Sequence, residues 1–198
     1  DAEAENTSEV SYSFQFSNEK EEVYILVYHI NGLPVRIDEK FSNYVSKTYG
    51  TRSYYLQNDQ LVFSKEVKEE VLADSTYQMR ETVSYYKNSL VTKSGTRVAP
   101  YEEELIYEEF TTINPTVHPF DEAIAILNNT GKYEIHFSDI IETSNATFLV
   151  LATNTDNKMT TTVMLEYRDD FTNQLLADKK KFKGKKVEIT FEMVTSEG

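Results

Sequence analysis

Apolar and polar residues alternate with a period of two through most of the chain, and that period predicts strands. Tyr12, Phe14 and Phe16 alternate with Ser and Gln, as in a strand with one buried face. Residues 23–30 (VYILVYHI) are almost continuously apolar and read as a central strand. Asn31-Gly32 follows, and then Leu33, Val35 and Ile37 alternate with Pro34, Arg36 and Asp38. Asn-Gly supplies the positive φ angles of a type I′ turn, so this stretch is a predicted hairpin. Pro34 has no N–H for a ladder, which places it at an edge or with its nitrogen facing away from the partner strand.

Two later segments resemble each other. Tyr54-Tyr55 leads through Asn58 to Leu61-Val62, and Tyr85-Tyr86 leads through Asn88 to Leu90-Val91. Both read as strand, Asn-centred turn, strand, which suggests a duplicated hairpin. Residues 67–72 fit a strand or a helical turn, and residues 101–110 (YEEELIYEEF) are expected to be a strand. Asn114-Pro115 and His118-Pro119 punctuate the chain. Residues 119–128 (PFDEAIAILN) are the one predicted helix. Pro119 suits a first turn, Asp121 and Glu122 complement the N-terminal dipole, and Phe120, Ile124 and Leu127 share a face. Gly131 is expected to terminate it. Strands are predicted again at 132–137, 147–153, 160–168 and 186–194.

These elements predict a mainly β fold of antiparallel sheets built of hairpins, as a sandwich or a curved sheet, with one short helix near 119–128. Residues 1–10 are expected to be a flexible tether, 11–113 a β-hairpin region, and 114–198 a β region carrying the helix. The two β regions either stand apart or form one compact domain.

Charge narrows the choice of partners. Among 198 residues, 33 acids and 20 bases give a net charge of −13. Such a surface repels phosphate backbones, so no nucleic acid partner is expected. With no cysteine, disulfides, thiolate nucleophiles, Cys-ligated zinc and iron–sulfur clusters are excluded. No apolar run is long enough for a transmembrane helix. The small, acidic residues 1–10 (DAEAENTSEV) match a chain released from a signal peptide, or one carrying a lipid tether upstream of residue 1. The expected location is therefore extracytoplasmic: periplasmic, secreted or at the cell surface.

Motifs for chemistry are sparse. The three histidines are scattered, with no zinc-type pairing. His29 follows the parity of Ile25 and Val27, His118 stands before the helix, and His136 falls on the polar side of its strand. There is no strained G-x-S-x-G elbow and no Gly-rich phosphate loop. Asn154, Asp156 and Asn157, or Asp169, Asp170 and Asn173, could offer oxygens to calcium. Ordinary turn chemistry accounts for both sets. No metal and no cofactor are expected.

Two features could bind a ligand. Residues 179–186 (KKKFKGKK) concentrate Lys179, Lys180, Lys181, Lys183, Lys185 and Lys186. This cluster reads as a solvated hairpin turning at Gly184 that protects an edge strand or meets an anion. The tyrosine pairs each place one ring outward, with Tyr54 and Tyr86 as candidate contacts. The reading that follows is a non-catalytic, extracytoplasmic β-rich binding or adaptor module for a protein or glycan. The alternatives are a carboxylate-based, glycosidase-like hydrolase and a structural subunit assembling by strand addition.

Overall fold

A computed structural model describes residues 9–72, 75–165 and 167–188. The chain forms two compact units, which divide between Asn128 and Asn129. Both are antiparallel β structures, so the fold is mainly β and built of hairpins, as the alternation predicts.

The first unit is a meander. Its strands are β1 (Glu9–Tyr12), β2 (Phe16–Ser17), β3 (Glu21–Ile30), β4 (Leu33–Asn43), β5 (Thr48–Gln57), β6 (Gln60–Val71), β7 (Tyr77–Lys87), β8 (Leu90–Ala99) and β9 (Thr111–Ile113). From β2 to β9 each strand pairs with the next, and β1 lies beside β3. Residues 1–8 of the expected tether lie outside the described residues. Glu9 and Val10 do not belong to a tether: they pair with His29 and Tyr28.

Three hairpins of this unit are built alike. Their turns are Asn31-Gly32, Asn58-Asp59 and Asn88-Ser89, all six residues having positive φ. Each turn is closed by two pairs: Ile30 with Leu33 and His29 with Pro34, Gln57 with Gln60 and Leu56 with Leu61, Lys87 with Leu90 and Tyr86 with Val91. The return strand then bulges at the same offset, at Val35, Val62 and Thr92, before pairing resumes. The duplicated hairpin is thus a triplicate, because the Asn31-Gly32 hairpin belongs to the same series. A bulge adds twist and leaves one residue unpaired.

Register assigns the faces. One face carries the row Val27, Ile37, Tyr54, Ser64, Ser84 and Ser94, every member buried. Side-chain size falls to serine over β6–β8, and this makes room for the chain to cross. Thr116 N donates to Ser94 Oγ at 2.8 Å, and Ser84 Oγ donates to the Thr116 carbonyl at 2.6 Å. The crossing leads into α1 (Phe120–Leu127), the predicted helix, whose Phe120 ring lies 5.3 Å from that of Tyr54. Asn129, at φ 51, follows the helix in a left-handed conformation, so Asn129 and not Gly131 stands at its end.

Residues 101–110 are not a strand. Glu102–Tyr107 is a 3-10 helix with Glu102, Glu103 and Glu104 in its first turn. Only Leu105 is buried there, against Val67, Ala99 and Met79, while Ile106 and Tyr107 are exposed. A single apolar anchor suits one turn of helix and gives a strand no buried face.

The second unit holds β10 (Ile135–Glu142), β11 (Thr147–Thr153) and β12 (Thr160–Leu165) as a three-stranded meander. Two helices follow, α2 (Asp170–Ala177) and α3 (Lys179–Phe182). Asp169 caps α2, its Oδ1 accepting from the N–H and the hydroxyl of Thr172, both at 2.7 Å. The acidic turn considered for calcium is therefore a helix N-cap. The lysine cluster is likewise not a hairpin. Asp178 caps α3, and the chain leaves it through Gly184 at φ 79. It then runs beside β10, with Gly184 N donating to the Phe137 carbonyl and Phe137 N to that of Lys185, both at 2.8 Å. Of the expected strand 186–194, residues 189–194 lie outside the described residues; Lys186 bridges to His136.

Candidate functional site

The second face of the first unit carries a row of aromatic and cationic side chains. In strand order they are Tyr28, Arg36, Tyr55, Phe63, Tyr85 and Lys93, directly opposed across β3 to β8. Val10 of β1 extends the row beyond Tyr28. The repeated hairpins generate it: each tyrosine stands three positions before its turn Asn, and Arg36, Phe63 and Lys93 stand where pairing resumes after each bulge. With strands ~4.8 Å apart, six members span roughly 24 Å.

Contacts within the row are continuous from Tyr28 to Tyr85. Arg36 lies 5.0 Å above the Tyr28 ring and 5.7 Å from that of Tyr55. The Tyr55 and Phe63 rings are 5.4 Å apart and those of Phe63 and Tyr85 5.1 Å, all tilted. Asp38 holds Arg36 through two hydrogen bonds of 2.9 and 2.7 Å. Burial works against the guanidinium charge, but Asp38 outweighs it and the pKa is raised. The rings are half-buried, and Tyr85 is 46% exposed. This surface offers ring edges, hydroxyls and cations to a partner.

Tyr54 and Tyr86 face the other way. Tyr54 is fully buried, and its hydroxyl donates to Glu39 Oε2 at 3.0 Å. Tyr86 points its hydroxyl at Ser64 Oγ, 3.1 Å away, and at His118 N, 3.4 Å away. The outward members of the two pairs are Tyr55 and Tyr85. Alternation dictated that one ring of each pair faced out; the register decided which.

Polar chemistry concentrates on the covered face. Ser64 Oγ and His118 Nδ1 are 2.6 Å apart, a serine–imidazole pair that no local motif announces because it joins β6 to the crossing segment. Both residues are buried, which lowers the His118 pKa; Glu66 opposes that shift in part. Its Nε2 is buried with no partner among the described residues. Beside it Arg52 links two carboxylates, Glu39 Oε1 at 2.8 Å and Glu66 Oε2 at 2.7 Å, while its guanidinium covers the Phe41 ring at 4.0 Å. Burial raises the Glu39 pKa against the pull of Arg52. At Glu66 burial pushes the same way, but the Arg52 hydrogen bond and charge prevail and the pKa is lowered. The ladder continues through Lys68 and Glu70 to Arg80. Opposed shifts on two nearby carboxyls can mark an acid and a base. Here one cation binds both, and each carboxylate is buried.

The lysines have separate surroundings. Lys179 pairs with Asp139 at 3.0 Å and donates to the Ile140 carbonyl, and Lys186 pairs with Glu134 at 2.8 Å. Lys181 and Lys185 lie 5.4 and 5.2 Å from the Phe182 ring. Lys180 is exposed, and Lys183 lines a cleft of about 190 Å³ beside β10 and β11. Among the described residues, no group of three or more His, Cys, Asp or Glu is arranged to hold a metal ion.

Comparison with known protein families, with curated proteins and with solved structures finds no match for this chain.

Proposed function

We propose that the protein is a non-catalytic binding or adaptor module that engages a protein or glycan through the aromatic–cationic row from Tyr28 to Lys93. The observation that carries this reading is the construction of the row. Three hairpins with the same turn and the same bulge set one tyrosine each on alternate strands of one face, where the rings are half-buried and Tyr85 is the most exposed of the three tyrosines. Ring edges and cations at that spacing suit an elongated partner lying across the strands. The residues best equipped for catalysis support the same reading from the other side: Ser64, His118, Glu39 and Glu66 are buried and occupied with one another or with Arg52.

Its placement outside the cytoplasm rests on the small, acidic composition of residues 1–10. Fractionation of cells expressing the native gene tests it, and a purely cytoplasmic product would refute it.

Recognition is tested by screening the intact protein against a glycan array and a displayed-peptide library. A Tyr55→Ala/Tyr85→Ala variant is screened in parallel. Ligands of the wild type should bind the variant at least about tenfold more weakly, because hot-spot aromatics typically contribute 1 to 2 kcal/mol or more. Ligands that bind both proteins equally would remove the row from recognition.

A further inference from the structure

The row leaves the second unit without a role, and that unit has a concave site of its own. The cleft lies where the start of β10, the end of β11, the turn after β11 and the chain leaving α3 meet. Its polar lining includes Lys158, Lys183, His136, Thr153, Asn154 and Thr155, and no carboxylate belongs to the lining. The chain as a whole has 33 acids against 20 bases. The lining itself thus holds two lysines and no carboxylate, although Glu134 contacts His136 from outside it and Asp139 acts on Lys183.

The surrounding structure fixes these groups. Lys183 follows α3, and the backbone just after it is tied to β10 through the Gly184–Phe137 and Phe137–Lys185 hydrogen bonds. Thr153 Oγ1 accepts from Met159 N at 3.0 Å and stands 3.4 Å from Thr155 Oγ1, which shapes the turn carrying Lys158. His136 Nε2 contacts Glu134 Oε1 at 3.3 Å, while its Nδ1 is buried with no partner among the described residues. Of the neighbouring lysines, Lys179 pairs with Asp139 and Lys186 with Glu134, and Lys181 and Lys185 lie against Phe182, while Lys183 lines the cleft and also feels the charge of Asp139.

Size decides the class of ligand. A cleft of 190 Å³ is smaller than the ~300–1,000 Å³ of sites for cofactors and drug-sized molecules. It suits a group of a few heavy atoms. We propose that this cleft binds a small tetrahedral oxyanion, a phosphate or sulfate group, through Lys158 and Lys183, with the Thr155 hydroxyl and the Asn154 amide as further donors. The group arrives either as the free ion or as an ester on a larger molecule.

The test uses the full chain, ¹⁵N-labelled, at constant ionic strength. Sodium phosphate and sodium sulfate are titrated in one arm, and glucose 6-phosphate and a sulfated disaccharide in the other. Saturable amide shifts should appear at Asn154, Thr155 and Gly184. Lys158→Gln and Lys183→Gln should each weaken binding about tenfold or more, as the loss of one charge-assisted hydrogen bond implies. Lys183→Arg should largely retain binding, and Lys180→Gln, outside the cleft, should leave it unchanged. Tighter binding in the first arm identifies the free ion, and tighter binding in the second identifies an ester. The proposal fails if no saturable shift appears up to tens of millimolar. It fails equally if Lys180→Gln weakens binding as much as Lys183→Gln, since attraction would then be diffuse. The aromatic row is untouched by these variants, so either result leaves the reading of the first unit standing.

Discussion

Replacing Arg52 with methionine should be among the most damaging single changes in the first unit. Arg52 lies between Glu39 and Glu66 at 2.8 and 2.7 Å, with its side chain 18% exposed and theirs 3% and 12%. Methionine retains much of the packing over Phe41 but leaves two carboxylates without their shared cation. Removing one partner of a buried pair costs about 3–5 kcal/mol, and the partial exposure of Arg52 places this case near the lower end. For a unit of this size the unfolding entropy is about 0.25 kcal/mol/K, so a loss of about 3 kcal/mol lowers Tm by about 10 °C. The pH dependence carries a further signature. Glu66 has a lowered pKa in the native protein, so its contribution is present above its ordinary value and is lost as pH falls through the folded one. Glu39 has a raised pKa, so its term is the reverse: stability is greatest when it is protonated and declines as pH rises. Without Arg52 the lowering at Glu66 weakens and the rise at Glu39 grows. The deficit of the variant should therefore be larger at pH 8 than near pH 4.5. Urea denaturation at both values measures it. A loss below about 1 kcal/mol, or a deficit that does not shrink on acidification, would refute the account of Arg52 as the cation that makes this burial tolerable.

Gly50→Ala should destabilise the first unit by about 1–3 kcal/mol in urea denaturation, because a Cβ there would sit 2.5 Å from the Val67 carbonyl and 2.8 Å from the Phe41 ring. Ser89→Gly and Asp59→Gly should each raise stability, by up to about 1 kcal/mol, because both residues hold positive φ in two-residue turns where glycine carries no Cβ penalty; a lower urea midpoint would count against the turn assignment. Asp169→Ala should loosen α2 selectively, seen as faster amide exchange at Thr172 and Asn173 with β10 and β11 unchanged.

Much of the fold was legible because its signals are local. The Asn-centred turns, the alternation along β3 to β8 and the helix over Phe120–Leu127 depend on neighbours within a few residues. The third member of the hairpin series was harder to see. Its Asn-Gly turn was evident, but it has His29 and not a second tyrosine after Tyr28, so the likeness to Tyr54-Tyr55 and Tyr85-Tyr86 rests on Tyr28 and Asn31 alone. Which tyrosine faced outward was not legible, since parity fixes that two neighbours differ and only burial names the inner one. The Ser64–His118 pair was invisible because the two residues meet only when the chain crosses the sheet. At the lysine cluster, Gly184 supplied a credible turn, while Asp169, which caps the first of two successive helices, read as a turn residue. Asx residues serve both purposes, and the choice between them was made by the packing of Leu175 and by Phe182 against Phe171.

The covered face of the first unit mixes apolar side chains, among them Val27, Ile37 and Tyr54, with polar ones, and this bears on why the exposed rings are there. A half-buried sheet ordinarily puts aromatics inward and charges outward. Here the covered face carries Ser64, Ser84, Ser94 and the ion-pair ladder from Glu39 to Arg80, while the row from Tyr28 to Phe63 and Tyr85 lies on the other. The serines have a cause inside the fold: an irregular segment crosses over them, and its N–H and carbonyl groups need partners that apolar side chains cannot supply. The rings have a weaker internal cause. Cross-strand aromatic pairs contribute ~0.2–1 kcal/mol each, yet rings of this size could have strengthened the core had they faced inward. Each pair instead spends one ring on the interior, at Tyr54 and Tyr86, and keeps the other outside at the same offset from its turn. Repetition of that choice in two hairpins is the feature that favours the proposed binding row over packing alone as the reason for the outward rings.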